Sequence, residues 1–394
     1  MHCSWKAVIL LALVFVAVQY ALIRSITSEN YSSCSDTQRC CDVKQMSSKK
    51  NHILILAATR SGSSFFGQLF NQHPDVFYLY EPLNHVQTAL NSTNDNRQVI
   101  LGASRDILRG LFTCNLHLLE SYINPVPENH MTDAVKRRGA SKALCTPPVC
   151  DAFSSSMVNI SEEECLQECG YLNLTLASVS CQQRHNVVMK TVRVPVVSVI
   201  RDLLEDPRLN LKVIQLVRDP RGIVASRMMT FPEKYPMMRL WKMKGQKPRN
   251  LGFTKIPVCE DFLSSVSTGL SQPSWLRGKY MLVRYEDLAQ NPLTKTQEIF
   301  AYLGISLHQH VVDWIQENTE AKGVWSPMEV FSTKRDSAAN SEGWRLKLSF
   351  GMVEYLQTVC QAVLQKLGYK RVRSSGELTN LSYSLVEDMK ISFQ

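Results

Sequence analysis

Short apolar runs recur along this chain, separated by amphipathic stretches, and that rhythm restricts the fold more than any other feature. Residues 53–58, 76–80, 187–194, 211–217 and 280–285 have strand length and no polar face. Between them the spacing of apolar residues predicts helices over about 63–71, 221–229 and 293–303. Strands buried on both faces and separated by helices form a mostly parallel sheet covered on each side, the α/β class. An apolar stripe through Met352, Tyr355, Leu356, Val359, Val363, Leu364 and Leu367 predicts one core helix over 350–367. A chain of 394 residues is long enough for one large domain, set here at 51–394. The stretch over about 124–181 breaks the rhythm with prolines and five cysteines, and reads as a disulfide-pinned insertion.

In an open α/β sheet, ligands bind outside the carboxyl ends of the strands. The first run leads there into Thr59, Arg60, Ser61, Gly62, Ser63, Ser64 and Phe65 and then a helix. Backbone N–H groups and the positive helix terminus would face one anion, Gly62 would let the backbone approach it, and Arg60 adds a forked cation. The lysine and second glycine of the common nucleotide loop are missing, so a magnesium-bound triphosphate is not the expected ligand. The structural alternative is that Ser and Thr only cap the helix. A second element follows 211–217: Arg218, Asp219, Pro220, Arg221, Gly222, Ile223, Val224, Ala225 and Ser226. Arg218 at the strand end and the Ser226 hydroxyl would grip a second phosphate, while Asp219 pairs with a neighbouring arginine.

Together, "TRSGSSF" and "VRDPRGIVASR" resemble the two phosphate-binding elements of the sulfotransferase family. The wider resemblance is to the membrane-bound carbohydrate 6-O-sulfotransferases that act on galactose, N-acetylgalactosamine and N-acetylglucosamine. It covers nearly the whole chain, through stretches such as "HILILAATRSGSSFFGQLFNQHPDVFYLYEPL" and "GKYMLVRYEDLAQNP", and is nearest to the branch that sulfates galactose in keratan sulfate. Soluble relatives have lysine at the position of Arg60; the membrane-bound group has arginine. The resemblance implies a P-loop-like sulfotransferase fold and the donor 3'-phosphoadenosine 5'-phosphosulfate (PAPS). Its 5'-phosphosulfate would lie on the first element and its 3'-phosphate on the second, with no metal. It implies a lactosamine-type or acidic glycan acceptor whose 6-hydroxyl needs a general base. Glu81, after the strand 76–80 and beside the first loop, is the expected base, with His85 second and His73 structural. By the same resemblance Tyr285 lies near the adenine, and Trp344 and Arg345 close over the donor.

The N-terminus sets the expected compartment. Residues 7–23 carry no charge and are flanked by Lys6 and Arg24, about 17 residues at the short end of a membrane span. A cleaved signal peptide is the alternative, but the run closes with Gln19, Tyr20 and Leu22 rather than small residues. A signal anchor gives a type II Golgi membrane protein, with tail 1–6, stem 24–50 and a lumenal body. Sequons at Asn30, Asn91, Asn159, Asn173 and Asn380 agree with that placement. Of the twelve cysteines, all but Cys3 fall on the lumenal side, where disulfides are expected. No C-x2-C pair supports zinc there. Eleven is odd, so one thiol stays free or pairs between chains, and a disulfide-linked or stem-mediated homo-oligomer is the matching expectation.

The net charge of +9 favours an anionic ligand, and the compartment excludes nucleic acid. The basic run through Lys242, Lys244, Lys247 and Arg249 is placed to meet an acidic glycan. A Golgi glycosyltransferase would share the anchor and sequons, yet no Asp-x-Asp is present to hold a metal-bound nucleotide sugar. A non-catalytic glycan-binding protein would have no use for two phosphate grips.

Overall fold

Five strands build the central sheet: β1 (Asn51–Ala57), β2 (Val76–Tyr80), β3 (Asn186–Thr191), β4 (Leu211–Val217) and β5 (Tyr280–Arg284), all parallel, in the order β2-β3-β1-β4-β5. The computed structural model describes Gln19 and residues 50–90, 97–154, 157, 160–248, 256–319 and 336–388. The expected anchor and stem, apart from Gln19 and Lys50, lie outside them, as do Asn30, Asn91, Asn159 and Arg249. Among the described residues no helix is long and apolar enough to cross a membrane. Lys50, expected in the stem, begins the folded unit: its amine donates to the carbonyls of Cys181 (3.2 Å) and Gln182 (2.7 Å).

Alternate residues of each strand enter separate apolar clusters on the two sheet faces. Leu54, Leu56, Met189 and Val213 pack with Ile107 and Phe262 on one side; Ile53, Ile55, Val188 and Ile214 pack with Phe66, Phe70 and Phe300 on the other. From β1 the chain moves out to β2, returns to β3 beside β1, then crosses to β4 on the opposite side. The strand order therefore reverses at β1, and the crevice at such a reversal is where an open α/β sheet binds ligands. Ala57 stands opposite Leu216 of β4, so the loops that follow β1 and β4 leave the sheet side by side.

Two expected elements differ. β3 stops at Thr191 rather than at 194, because the amides of Val192 and Arg193 bond to the Glu81 carboxylate (3.3 Å) and Thr191 Oγ1 (3.1 Å) instead of a neighbouring strand. The stripe over 350–367 forms two helices, Phe350–Val359 and Gln361–Lys366, broken at Cys360, which is disulfide-bonded to Cys259. Three further disulfides, Cys114–Cys181, Cys145–Cys165 and Cys150–Cys169, tie the segment over 124–181. Cys34, Cys40 and Cys41 lie outside the described residues. Of the two described sequon asparagines, Asn380 is exposed. Asn173 caps the helix Leu174–Gln183, accepting from the amides of Thr175 (2.9 Å) and Leu176 (3.1 Å).

Candidate active site

Beyond β1 the chain turns through Arg60 (φ 71°) and Gly62 (φ 89°) into α1 (Ser63–Asn71). A side chain at Gly62 is excluded by space as well as by φ, since a Cβ there would lie 2.3 Å from Tyr285 Cδ2. Arg60 has a Cβ and sits in the left-handed region at a cost of about 1–2 kcal/mol. Its Nε donates to Ser226 Oγ at 3.0 Å and its carbonyl accepts from Arg218 Nη1 at 3.2 Å, bonds that help to hold it there. No side chain caps α1, contrary to the reading of Ser and Thr as mere caps. The first amides of the helix are thus left without intrahelical partners at its positive end. Ser61 Oγ is fully buried and has no hydrogen-bond partner among the described residues.

The second element has a different division of labour. Asp219 caps α2 (Pro220–Thr230) by accepting from the Arg221 amide at 2.9 Å. The Arg221 side chain, 0% exposed, bonds both Asp219 oxygens, Gln357 Oε1 (2.9 Å) and the Lys370 carbonyl (3.0 Å). Asp219 and Arg221 therefore brace the loop, and Ile223, Val224 and Ala225 bury their side chains in the core. Arg218 remains with its guanidinium at the junction, 4.5 Å from the Tyr285 ring centroid, and its Nε has no hydrogen-bond partner among the described residues. Arg227 Nε reaches back to the Thr59 carbonyl at 3.0 Å. The two elements are tied directly to each other.

Tyr285 opens α3 (Tyr285–Gln290), where its ring covers Gly62 and its hydroxyl accepts from Asn340 Nδ2 at 2.8 Å. It is the floor between the two loops, not an exposed platform. Asn340 belongs to α4 (Ser337–Glu342), and its carbonyl accepts from Arg218 Nη2 at 3.2 Å. Trp344 packs against Gly222, where a Cβ would lie 3.0 Å from its Cδ1, and under the Arg221 guanidinium at 4.8 Å. Arg345 turns inward: fully buried, it donates to the carbonyls of Leu378 (2.9 Å), Tyr383 (2.8 Å), Glu377 (2.9 Å) and Asn380 (2.6 Å) and pairs with Glu342. Trp344 thus supports the second element from behind, while the buried Arg345 side chain anchors residues 377–383 and does not face the junction of the two loops.

Glu81 (φ 51°) follows β2, but β3 lies between β2 and β1, so Glu81 is not directly beside the first loop. One carboxylate oxygen lies 2.7 Å from Lys190 Nζ, and the other is paired with Arg193 and accepts from the Val192 amide. Arg193, paired with Glu81, also lines a cavity of about 140 Å³ together with Thr59, Arg227 and Asp261; Glu81 and Lys190 are not among its lining residues. Burial raises the pKa of Asp261, against the pull of Arg97 and Arg227. His85 accepts from the Lys136 amide at 3.4 Å, and burial lowers its pKa. His73 is held by the Ser306 carbonyl (3.0 Å) and the Asp75 amide (3.2 Å), a structural arrangement. In the basic run Lys247 lies 4.8 Å over the Tyr355 ring.

Residues 50–368 match the sulfotransferase domain family. The chain belongs to the sulfotransferases. Its similarity runs through carbohydrate sulfotransferase 1 of Danio rerio, 57% identical with 98% of each chain covered, and that of Homo sapiens, 53% identical over the same shares. Carbohydrate sulfotransferase 3 of Mus musculus is 41% identical over 86% of this chain and 72% of its own length. Among sulfotransferases this one is a carbohydrate enzyme.

Several residues of the candidate site were missed in the sequence: Lys190, Arg193 and Asn340. A signal existed for the first. Lys190 is the one charged residue of β3 and is buried there, which a strand tolerates only when the charge has a partner. Glu286 behind the second loop was also overlooked. Its carboxylate accepts from the Asp219 amide (3.0 Å) and Tyr369 hydroxyl (2.7 Å), and burial together with the nearby Asp219 charge pushes its pKa up to about 7.

Proposed function

We propose that this sulfotransferase moves the sulfuryl group of PAPS to the 6-hydroxyl of galactose in keratan sulfate or related lactosamine glycans. The observation that carries the reading is the Arg60–Ser226 hydrogen bond, which joins the two anion-binding elements at the point where strand order reverses. The residues fit a donor with two separate anionic groups. The uncapped amides of α1, Arg60 and the orphaned Ser61 hydroxyl would hold the 5'-phosphosulfate; Arg218, with its unpartnered Nε, and Ser226 would hold the 3'-phosphate.

The bound donor supplies the sulfuryl group, with charge building on the phosphate oxygen that departs. Arg60 and the loop amides are fixed in place beforehand, so they stabilise that charge without reorganising. Glu81 would accept the hydroxyl proton, with its carboxylate oriented by Lys190 and Arg193. The run Lys242–Arg249 would meet the acidic glycan. The charge-free stretch over 7–23 supports a type II Golgi membrane protein with a lumenal catalytic domain.

The test is transfer of labelled sulfate from PAPS to a lactosamine oligomer and to keratan sulfate, with the modified carbon then located. Label at galactose C6 is expected. Label confined to N-acetylglucosamine C6 would overturn the acceptor, and no dependence on PAPS would overturn the reaction.

A further inference from the structure

His117, Glu120 and His130 stand apart from the reaction site and converge on one point. His117 and Glu120 lie on the 3-10 helix Leu116–Tyr122, one turn apart, so both side chains leave the same face. His130 (φ 64°) follows Asn129 (φ 49°) in a left-handed turn that opens the short ribbon Met131–Thr132 with Leu172–Asn173. Its carbonyl is fixed by the Leu174 amide at 2.9 Å. The turn brings His130 Nδ1 to 2.8 Å from Glu120 Oε1 and 3.2 Å from His117 Nδ1, which is itself 3.0 Å from Glu120 Oε1.

We propose that these three atoms bind one zinc ion, with His117 Nδ1, His130 Nδ1 and Glu120 Oε1 as ligands and a water in the fourth position. Ligands placed 2.0–2.2 Å from a tetrahedral zinc are separated from one another by roughly 3.3 Å. The observed triangle has nearly that size and nearly equal sides. A hydrogen-bonded trio explains it less well. Two N–H donors sharing Oε1 would subtend only about 67° there, much narrower than the spread of a carboxylate oxygen's acceptor directions. They would also bring two donors face to face. Imidazole nitrogen selects zinc-like ions over calcium or magnesium, which prefer oxygen. The His130 side chain is 52% exposed, which leaves the fourth position open to water. The ion would clip the helix Leu116–Tyr122 to the ribbon, beside the Cys114–Cys181 disulfide.

The full chain, purified in detergent without a histidine tag, is dialysed against micromolar zinc and its metal content measured. One zinc per chain is expected, together with a higher Tm than after chelation. In the His117→Asn/His130→Asn variant that zinc is lost and the Tm no longer responds to chelator. Cobalt in place of zinc should give the strong visible band of a tetrahedral site, weakened or shifted in Glu120→Gln, which keeps the shape of the side chain. Zinc content unchanged in the double variant would overturn the proposal. So would a wild-type chain that retains no stoichiometric zinc, or a cobalt complex without that band.

Discussion

Arg60 Nε and Ser226 Oγ, separated by 166 positions in the chain, are 3.0 Å apart, and their bond joins the loop after β1 to the helix after β4. Arg60→Ala should lower kcat/KM for PAPS about 100-fold or more, because a pre-placed cation facing developing charge is lost. Ser226→Ala, which removes one hydrogen bond, should cost about fivefold to tenfold. The double variant should be worse than Arg60→Ala by less than the loss of Ser226→Ala alone, since the bond that the two share is lost only once while the Ser226 contact to the 3'-phosphate is lost in addition. Steady-state kinetics of the three variants decide it: strictly additive losses would mean that the loops work independently.

Gly62 and Tyr285 occupy the same space from opposite sides. Gly62→Ala places a methyl 2.3 Å from the Tyr285 ring at φ 89°, and should destabilise the fold by about 2 kcal/mol or more. Tyr285→Leu in that background should restore part of the lost Tm by yielding space. A Gly62→Ala protein with unchanged Tm would show that the loop can move.

Glu81→Gln separates a catalytic loss from a structural one. Removing the negative charge leaves Lys190 buried without its partner, which costs about 3 kcal/mol. Adding Lys190→Met should recover most of that stability and none of the activity. If the double variant regained activity along with its Tm, Glu81 would be a counter-charge only.

Stability should depend on Glu286. Its pKa in the fold is about 7, against an ordinary value of 4.5, so the native state keeps a proton that the unfolded chain releases. That stabilisation is complete below about 4.5 and is lost as pH rises through about 7. Thermal melts from acid to neutral pH should show the decline in the wild type. The difference between wild type and Glu286→Gln should be flat if another group were responsible.

The strands were legible because each is a short run buried on both faces, and the loops after β1 and β4 because they follow such runs. Strand order was not legible. Pairing between residues 56 and 191 leaves no local trace, so β3 was not expected between Glu81 and the first loop. Buried charges were misread for a related reason. Arg221 and Arg345 look like ligands in sequence, yet their partners, Lys370 and the carbonyls of residues 377–383, come from distant or later segments. The trio His117, Glu120 and His130 was also invisible, since a left-handed turn, and not a regular spacing, brings the third member in.

The clasp around Arg345 ties residues 377–383 to the fold through their carbonyls. A premature stop codon just before Glu377 would remove four carbonyl acceptors at once and strand a buried guanidinium beside Trp344. Such an allele would encode both candidate loops intact in a protein unable to stay folded. Its phenotype would be loss of protein abundance, not a kinetic defect.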